Sequence, residues 1–109
     1  MQYATDIVTN AALKDLRDPN YLVRRDAAYA LGWMGPLAVK AVPSLTAALH
    51  DSSDEVRAAA AGALGFIGPG ALEAMGDLSG ALQDGVEHVR EVSAEALKRI
   101  QGTKDEAQR

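Results

Sequence analysis

Residues 23–35 read VRRDAAYALGWMG, and residues 56–68 read VRAAAAGALGFIG. Eight of the thirteen positions are identical, and Trp33 and Met34 give way to Phe66 and Ile67. At a shift of 33 residues the match runs outward without a gap. Leu16, Leu49 and Leu82 align, as do Asp18, Asp51 and Asp84, then Arg24, Arg57 and Arg90, then Leu31, Leu64 and Leu97. A fixed period of this length marks stacked units, none of which can bury its apolar face alone.

Each unit holds two helical stripes. The first runs Val23, Ala27, Ala30, Leu31, Met34 and recurs as Val56, Ala60, Ala63, Leu64, Ile67. That spacing is one face of a helix with 3.6 residues per turn. The second runs Ala38, Ala41, Val42, Leu45, Ala48, Leu49 and recurs as Ala71, Met75, Leu78, Ala81, Leu82. Gly35-Pro36 and Gly68-Pro69 separate the helices of a pair, because Gly ends a helix and Pro cannot continue it. Asp18-Pro19-Asn20, Asp51-Ser52-Ser53 and Asp84-Gly85 are cap and turn chemistry between units. Pro43 is compatible with its helix only in the first turn, so that helix begins late or bends there. Residues 4–17 align with a second-type helix and residues 86–101 with a first-type helix. The expected architecture is all-α: a short right-handed solenoid of about six antiparallel helices, one lone helix, two pairs and another lone helix. It occupies residues 1–102 as a single domain, followed by a polar tail at 103–109.

The 109 residues fit one small domain, and nearly half are apolar, many of them Ala, which favours helix and close helix approach. There is no cysteine, so disulfide frameworks and thiolate metal sites are excluded. Eleven basic against fifteen acidic residues argues against nucleic acid as a partner, since phosphate contacts favour a basic face. The N-terminus MQYATDIVTN lacks the basic and apolar regions of a signal peptide. The longest uncharged internal run, Ala58 to Leu72, is fifteen residues and is interrupted by Gly68-Pro69-Gly70, which is too short and too broken to span a bilayer. The expectation is a soluble, cytoplasmic protein that does not engage a membrane.

The ankyrin TPLH text and the tetratricopeptide pattern are both absent. Leu49, Asp51, Val56-Arg57, Ala60-Ala61, Ala63-Leu64-Gly65 and Ile67-Gly68 instead resemble the HEAT-like repeat of the phycobilisome-lyase type, over residues 5–102. The resemblance implies a HEAT-like solenoid in which the Asp and Arg rows are structural. It also implies that second-type helices form the inner wall and supply the binding surface. HEAT-like di-iron hydroxylases carry paired His-Glu motifs at the start of the first-type helix; here those positions read Arg25-Asp26, Ala58-Ala59 and Glu91-Val92, so that chemistry has no residues.

The remaining candidates each have a plain reading. Asp18, Asp51 and Asp84 with Arg24, Arg57 and Arg90 form a ladder of charge-assisted bonds between turns and helices. His50 and His88 are the only histidines and have no ligand or triad spacing around them. Ser44, Ser79 and Ser93 lie within helices without a nearby base. Gly62, Gly65, Gly68 and Gly70 lack the preceding strand of a phosphate loop, and helix termination and close packing account for them. Tyr29, Trp33 and Phe66 are expected to pack on the small Ala61 and Ala94 of the following unit. Lys14, Lys40, Ser44, Ala47, Glu73, Asp77 and Gly80 form the expected inner-face binding surface, on which no sign of charge dominates. A non-catalytic protein-interaction or scaffold module follows, with no cofactor or metal, bound to another protein or protein segment, and monomeric or weakly self-associating. The rival readings are an accessory subunit of a bilin lyase-type enzyme and a nucleic-acid-binding module; the first rests on likeness of fold.

Overall fold

The architecture follows from how each repeat ends its helices. In the computed structural model, which describes the backbone of residues 2–107 and the side chains of residues 3–102, no strand occurs among the described residues. The helices are α1 (Gln2–Asp15), α2 (Tyr21–Met34), α3 (Val42–Ala48), α4 (Asp54–Ile67), α5 (Met75–Ala81) and α6 (Glu87–Ala107). Short 3-10 segments, Gly35–Ala41 and Gly68–Ala74, lead into α3 and α5. The order is a lone second-type helix, two pairs, and a lone first-type helix. Of the tail expected at 103–109, residues 108 and 109 lie outside the described residues.

Caps set the helix starts. Asn20 accepts the Leu22 N–H at 2.9 Å and Ser53 accepts that of Val56 at 3.4 Å, which meets free donors of the first turn. Gly35 and Gly68 end α2 and α4 with φ of 56° and 79°, the left-handed region where other residues are strained. The Pro that follows each of them sits in the first positions of a 3-10 turn, where its missing N–H costs nothing. The second-type helices are therefore shorter than their apolar stripes suggest. Ala38 and Ala71 belong to the tight turns, and Pro43 enters at the first turn of α3.

Three first-type helices, α2, α4 and α6, lie side by side and make the most extensive contacts in the molecule. Their closeness depends on small residues. A Cβ built on Gly65 would stand 2.9 Å from the Ala96 Cα, and one on Gly32 would stand 3.3 Å from the Ala63 Cα. The second-type helices sit behind them, in direct contact with the first-type row, and meet one another mainly through the 3-10 segments. The result is a slab only 17 Å thick, about two helices deep.

The core runs between the two rows. Leu31, Leu45, Leu64 and Leu78 are fully buried, with Val56, Val89, Ile67 and Ile100 completing it. Helix α4 is buried on most of its circumference because it has a neighbour on either side. Helix α2 has one such neighbour, so Ala30, expected in its core stripe, is exposed while Ala28 is fully buried. Asp54–Ala81 has the length and apolarity of a membrane span, but the chain leaves the helix at Gly68 and 61% of the most apolar part is buried inside the stack.

Candidate functional site: an apolar groove and an aspartate–arginine ladder

The rows of Asp and Arg meet across units. Arg24 donates Nε and Nη2 to the two carboxylate oxygens of Asp51, each at 2.9 Å, and Nη1 to the carbonyls of Asp18 and Pro19. Arg57 repeats the arrangement on Asp84 at 2.8 and 3.1 Å, with Nη1 on the carbonyls of Asp51 and Ser52. Arg90 donates to the Asp84 carbonyl at 2.7 Å. Each Asp also closes its own turn, accepting the N–H of Asn20, Ser53 or Val86. Arg24 and Arg57 thus tie their own turns to the next one, through a two-pronged pairing that suits the guanidinium plane, while Arg90 holds only its own turn.

Burial raises the pKa of Asp51, but the Arg24 hydrogen bonds, the Ser53 N–H and the charges of Arg24 and Arg57 outweigh it and hold the carboxyl below its ordinary value. At Asp84 the Arg57 hydrogen bonds lead; burial opposes them, and the Val86 N–H and the Arg57 and Arg90 charges add to the fall. Each of the two carboxylates holds a guanidinium and a turn N–H at once.

Lys14, Lys40, Ser44, Ala47, Glu73 and Gly80 lie exposed on the second-type row, with Asp77 half-buried among them. Lys14 and Ser44 line an open concavity of about 700 Å³ together with Leu13, Asp15, Arg17, Asp18 and Pro19. Lys40 donates to Asn10 Oδ1 at 3.2 Å, and Asp77 Oδ2 lies 3.0 Å from His50 Nε2. Among the described residues no group of three or more His, Cys, Asp or Glu side chains could hold a metal ion.

A second, more enclosed concavity opens on the other row. It measures about 680 Å³ and crosses α2, α4 and α6. Gly32, Ala58, Ala59, Gly62 and Ala63 line it where large side chains would fill it. Tyr29, Trp33 and Phe66 supply its aromatic surface, and His88 and Val92 contribute from α6. Its polar fringe is held in pairs: the Arg99 guanidinium lies 4.8 Å from the Phe66 ring centre, and Arg25 bridges Asp26 at 3.0 Å and Glu55 at 3.2 Å.

The three aromatics do not pack inward as expected. Trp33 is 90% exposed, Phe66 55% and Tyr29 52%. The position shared by Trp33, Phe66 and Arg99 points back toward the preceding layer. Phe66 reaches over Gly32, where its ring carbon would lie 3.7 Å from an added Cβ, and Arg99 stacks on Phe66. Among the described residues Trp33 has no layer before it. The groove itself was open to sequence reading: Tyr29, Gly62 and Glu95 are repeat equivalents that share no common chemistry. Such freedom at one register position is what a surface shows and a core does not.

Comparison with known families agrees with the repeat geometry. The family described as HEAT repeats matches residues 42–109, more than half of the chain. The PBS lyase HEAT-like repeat matches residues 23–51. No curated protein matches the chain.

Proposed function

The chain belongs to the HEAT-repeat family, and from that premise we propose that it is a non-catalytic, cytoplasmic interaction module that holds an apolar segment of another protein in the α2–α4–α6 groove. The observation that carries this reading is the groove itself: a concavity of about 680 Å³ with aromatic walls and a floor of Gly and Ala. Binding surfaces of this kind gain most from a few large apolar anchors seated where water is excluded. The face formed by Lys14, Lys40, Ser44, Ala47, Glu73, Asp77 and Gly80 borders a concavity of about 700 Å³, but its rim carries the charges of Lys14, Asp15, Arg17 and Asp18, and Lys40 and Asp77 are paired already. It is the less favoured surface for the partner.

Panning a displayed peptide library on the purified protein tests the proposal. Selected peptides should carry apolar or aromatic anchors, and Gly62→Arg, which fills the floor, should abolish their binding. Lys40→Ala should leave it unchanged. Peptides that bind Gly62→Arg as well as wild type, or none selected at all, would refute the groove.

The match of residues 23–51 to the PBS lyase HEAT-like repeat supports a second reading, an accessory subunit of a bilin lyase-type enzyme. Adding a linear tetrapyrrole to the protein separates the two. A saturable change in the pigment absorption, lost in Gly62→Arg, would favour this alternative.

A further inference from the structure

Beyond the pairs that Arg25 and Arg99 make, the groove is flanked by charge that folding does not use. Glu87, Glu91 and Glu95 stand at i, i+4 and i+8 along α6, all three exposed. Carboxylates at this spacing repel one another and weaken a helix. Glu87 is accounted for by its place in the first turn, where the helix N-terminus favours an anion. Glu95 has Arg99 one turn on, at 3.8 Å. Glu91 has neither: it lies past the first turn, and among the described residues no ion pair holds it. A Lys at that position would meet Glu87 and Glu95 together and strengthen α6, yet the chain places a third carboxylate there.

Glu91 and Glu95 are the repeat equivalents of Ala58 and Gly62, which line the groove on α4. They therefore hold the same outward register on α6, beside the wall that His88 and Val92 form. Nothing nearby offsets them. Arg25, on the α2 side, is shared between Asp26 and Glu55. Lys98 stands in the register of Gly65, the side of a first-type helix turned away from the layer before it, so its charge lies off the groove.

The groove also limits the shape of its occupant. Its floor and walls are helices, whose backbone groups are bonded within each helix, and no strand edge exists among the described residues. An extended segment would bury its own N–H and C=O groups here without partners, whereas a helix brings them already satisfied. Ala58, Ala59, Gly62 and Ala63 form a strip of small residues along α4 that lets a further backbone come close. We propose that the groove takes one amphipathic α-helix of a partner protein, apolar on the face laid along α4 and basic on the flank that meets Glu91 and Glu95. The inference rests on the groove as the binding surface and adds what the partner must be.

Three fluorescein-labelled model helices of about 18 residues test it, by fluorescence anisotropy on the full chain. They share one Leu stripe of helical period and carry Lys, Gln or Glu at the other positions. In dilute salt the Lys helix should bind roughly tenfold tighter than the Glu helix, with the Gln helix between, and about 0.5 M salt should close the gap. Glu91→Lys, which sets a cation between Glu87 and Glu95 and keeps α6 stable, should remove most of the preference for Lys. Gly62→Leu fills the floor without altering the net charge of −4, so it should abolish binding that mere attraction to an acidic protein would retain. A Lys helix interrupted by a central Pro should not bind. Equal binding of the three helices, lost in Gly62→Leu, would leave the groove standing and overturn the basic flank. A preference unchanged in Glu91→Lys, binding that survives Gly62→Leu, or full binding of the Pro version would overturn the inference as well. If no model helix binds, the inference falls, and the panned peptides decide the groove itself.

Discussion

Ser93 is fully buried in α6, and its Oγ has no hydrogen-bond partner among the described residues. Its repeat equivalents are Ala27 and Ala60, which are 5% and 0% exposed, so the site is shaped for a methyl group. A buried hydroxyl without a partner costs about 1–3 kcal/mol. Ser is also the poorer helix former, by about 0.5 kcal/mol. Against these, Ser93→Ala removes one small atom and little dispersion. The substitution should therefore stabilise the fold by about 1.5–3 kcal/mol. In a domain of this size that corresponds to a rise in Tm of about 6–13 °C. Urea denaturation should show a higher midpoint with an unchanged slope. The reverse change in the middle layer, Ala60→Ser, should destabilise by a similar amount. If Ser93→Ala is neutral or lowers the midpoint, the hydroxyl is satisfied in solution and the reasoning fails.

Other outcomes follow from the same geometry. Arg57→Ala removes the bonds to Asp84 and to two turn carbonyls and should cost about 1–3 kcal/mol, whereas Lys40→Ala should cost under about 0.5, both from denaturant melts; equal, negligible losses would refute a structural ladder. Gly65→Ala forces a Cβ to within 2.9 Å of the Ala96 Cα and should destabilise by about 1–3 kcal/mol. Gly62→Ala meets only Val92 at 3.6 Å and should gain up to about 1 kcal/mol, so a reversed order would contradict the layer spacing. Gly80→Ala, with nothing within 4 Å of its new Cβ, should raise the Tm; a fall would mean close backbone approach there. Asp51 and Asp84 have lowered pKa values in the folded state, so their contribution is complete above the unfolded value of about 3.9 and disappears as pH falls through the folded values. Between about pH 4 and pH 2 the wild type should therefore lose stability faster than Asp84→Asn, and parallel slopes would count against the pairing.

The repeat made the fold legible, because Leu, Asp, Val-Arg, Ala-Leu and Gly recur in one register and helix stripes can be counted. Register equivalence was also the source of the errors. Ala30, Ala63 and Ala96 read alike, yet among the described residues only the latter two have a layer in front of them, and register similarity does not show which copy has a neighbour. Trp33 was misread for the same reason. The lead-in to each second-type helix looked helical from Ala38 and Ala71, but Gly-Pro imposes a tighter turn before the α-helix can start. The Asp and Arg rows were visible as rows. That Arg24 reaches Asp51 of the next unit, with only backbone contact to its own turn, depends on inter-layer distance, which no periodicity contains. The groove went unseen because Gly and Ala on a helix suggest packing until one knows which side has no neighbour.

The ladder restricts how this chain can change length. Every rung joins an Arg to an Asp 27 residues later, and the turn holding that Asp is fixed by its own bond two residues on. Duplicating one whole period would introduce a new rung with both ends satisfied, and the lengthened protein would inherit its register. Inserting or deleting a few residues between Arg57 and Asp84 would leave a half-buried guanidinium and a half-buried carboxylate facing the wrong neighbours. Lineages of such a protein should thus differ in length by multiples of the period or at their ends, with gaps between the rungs rare.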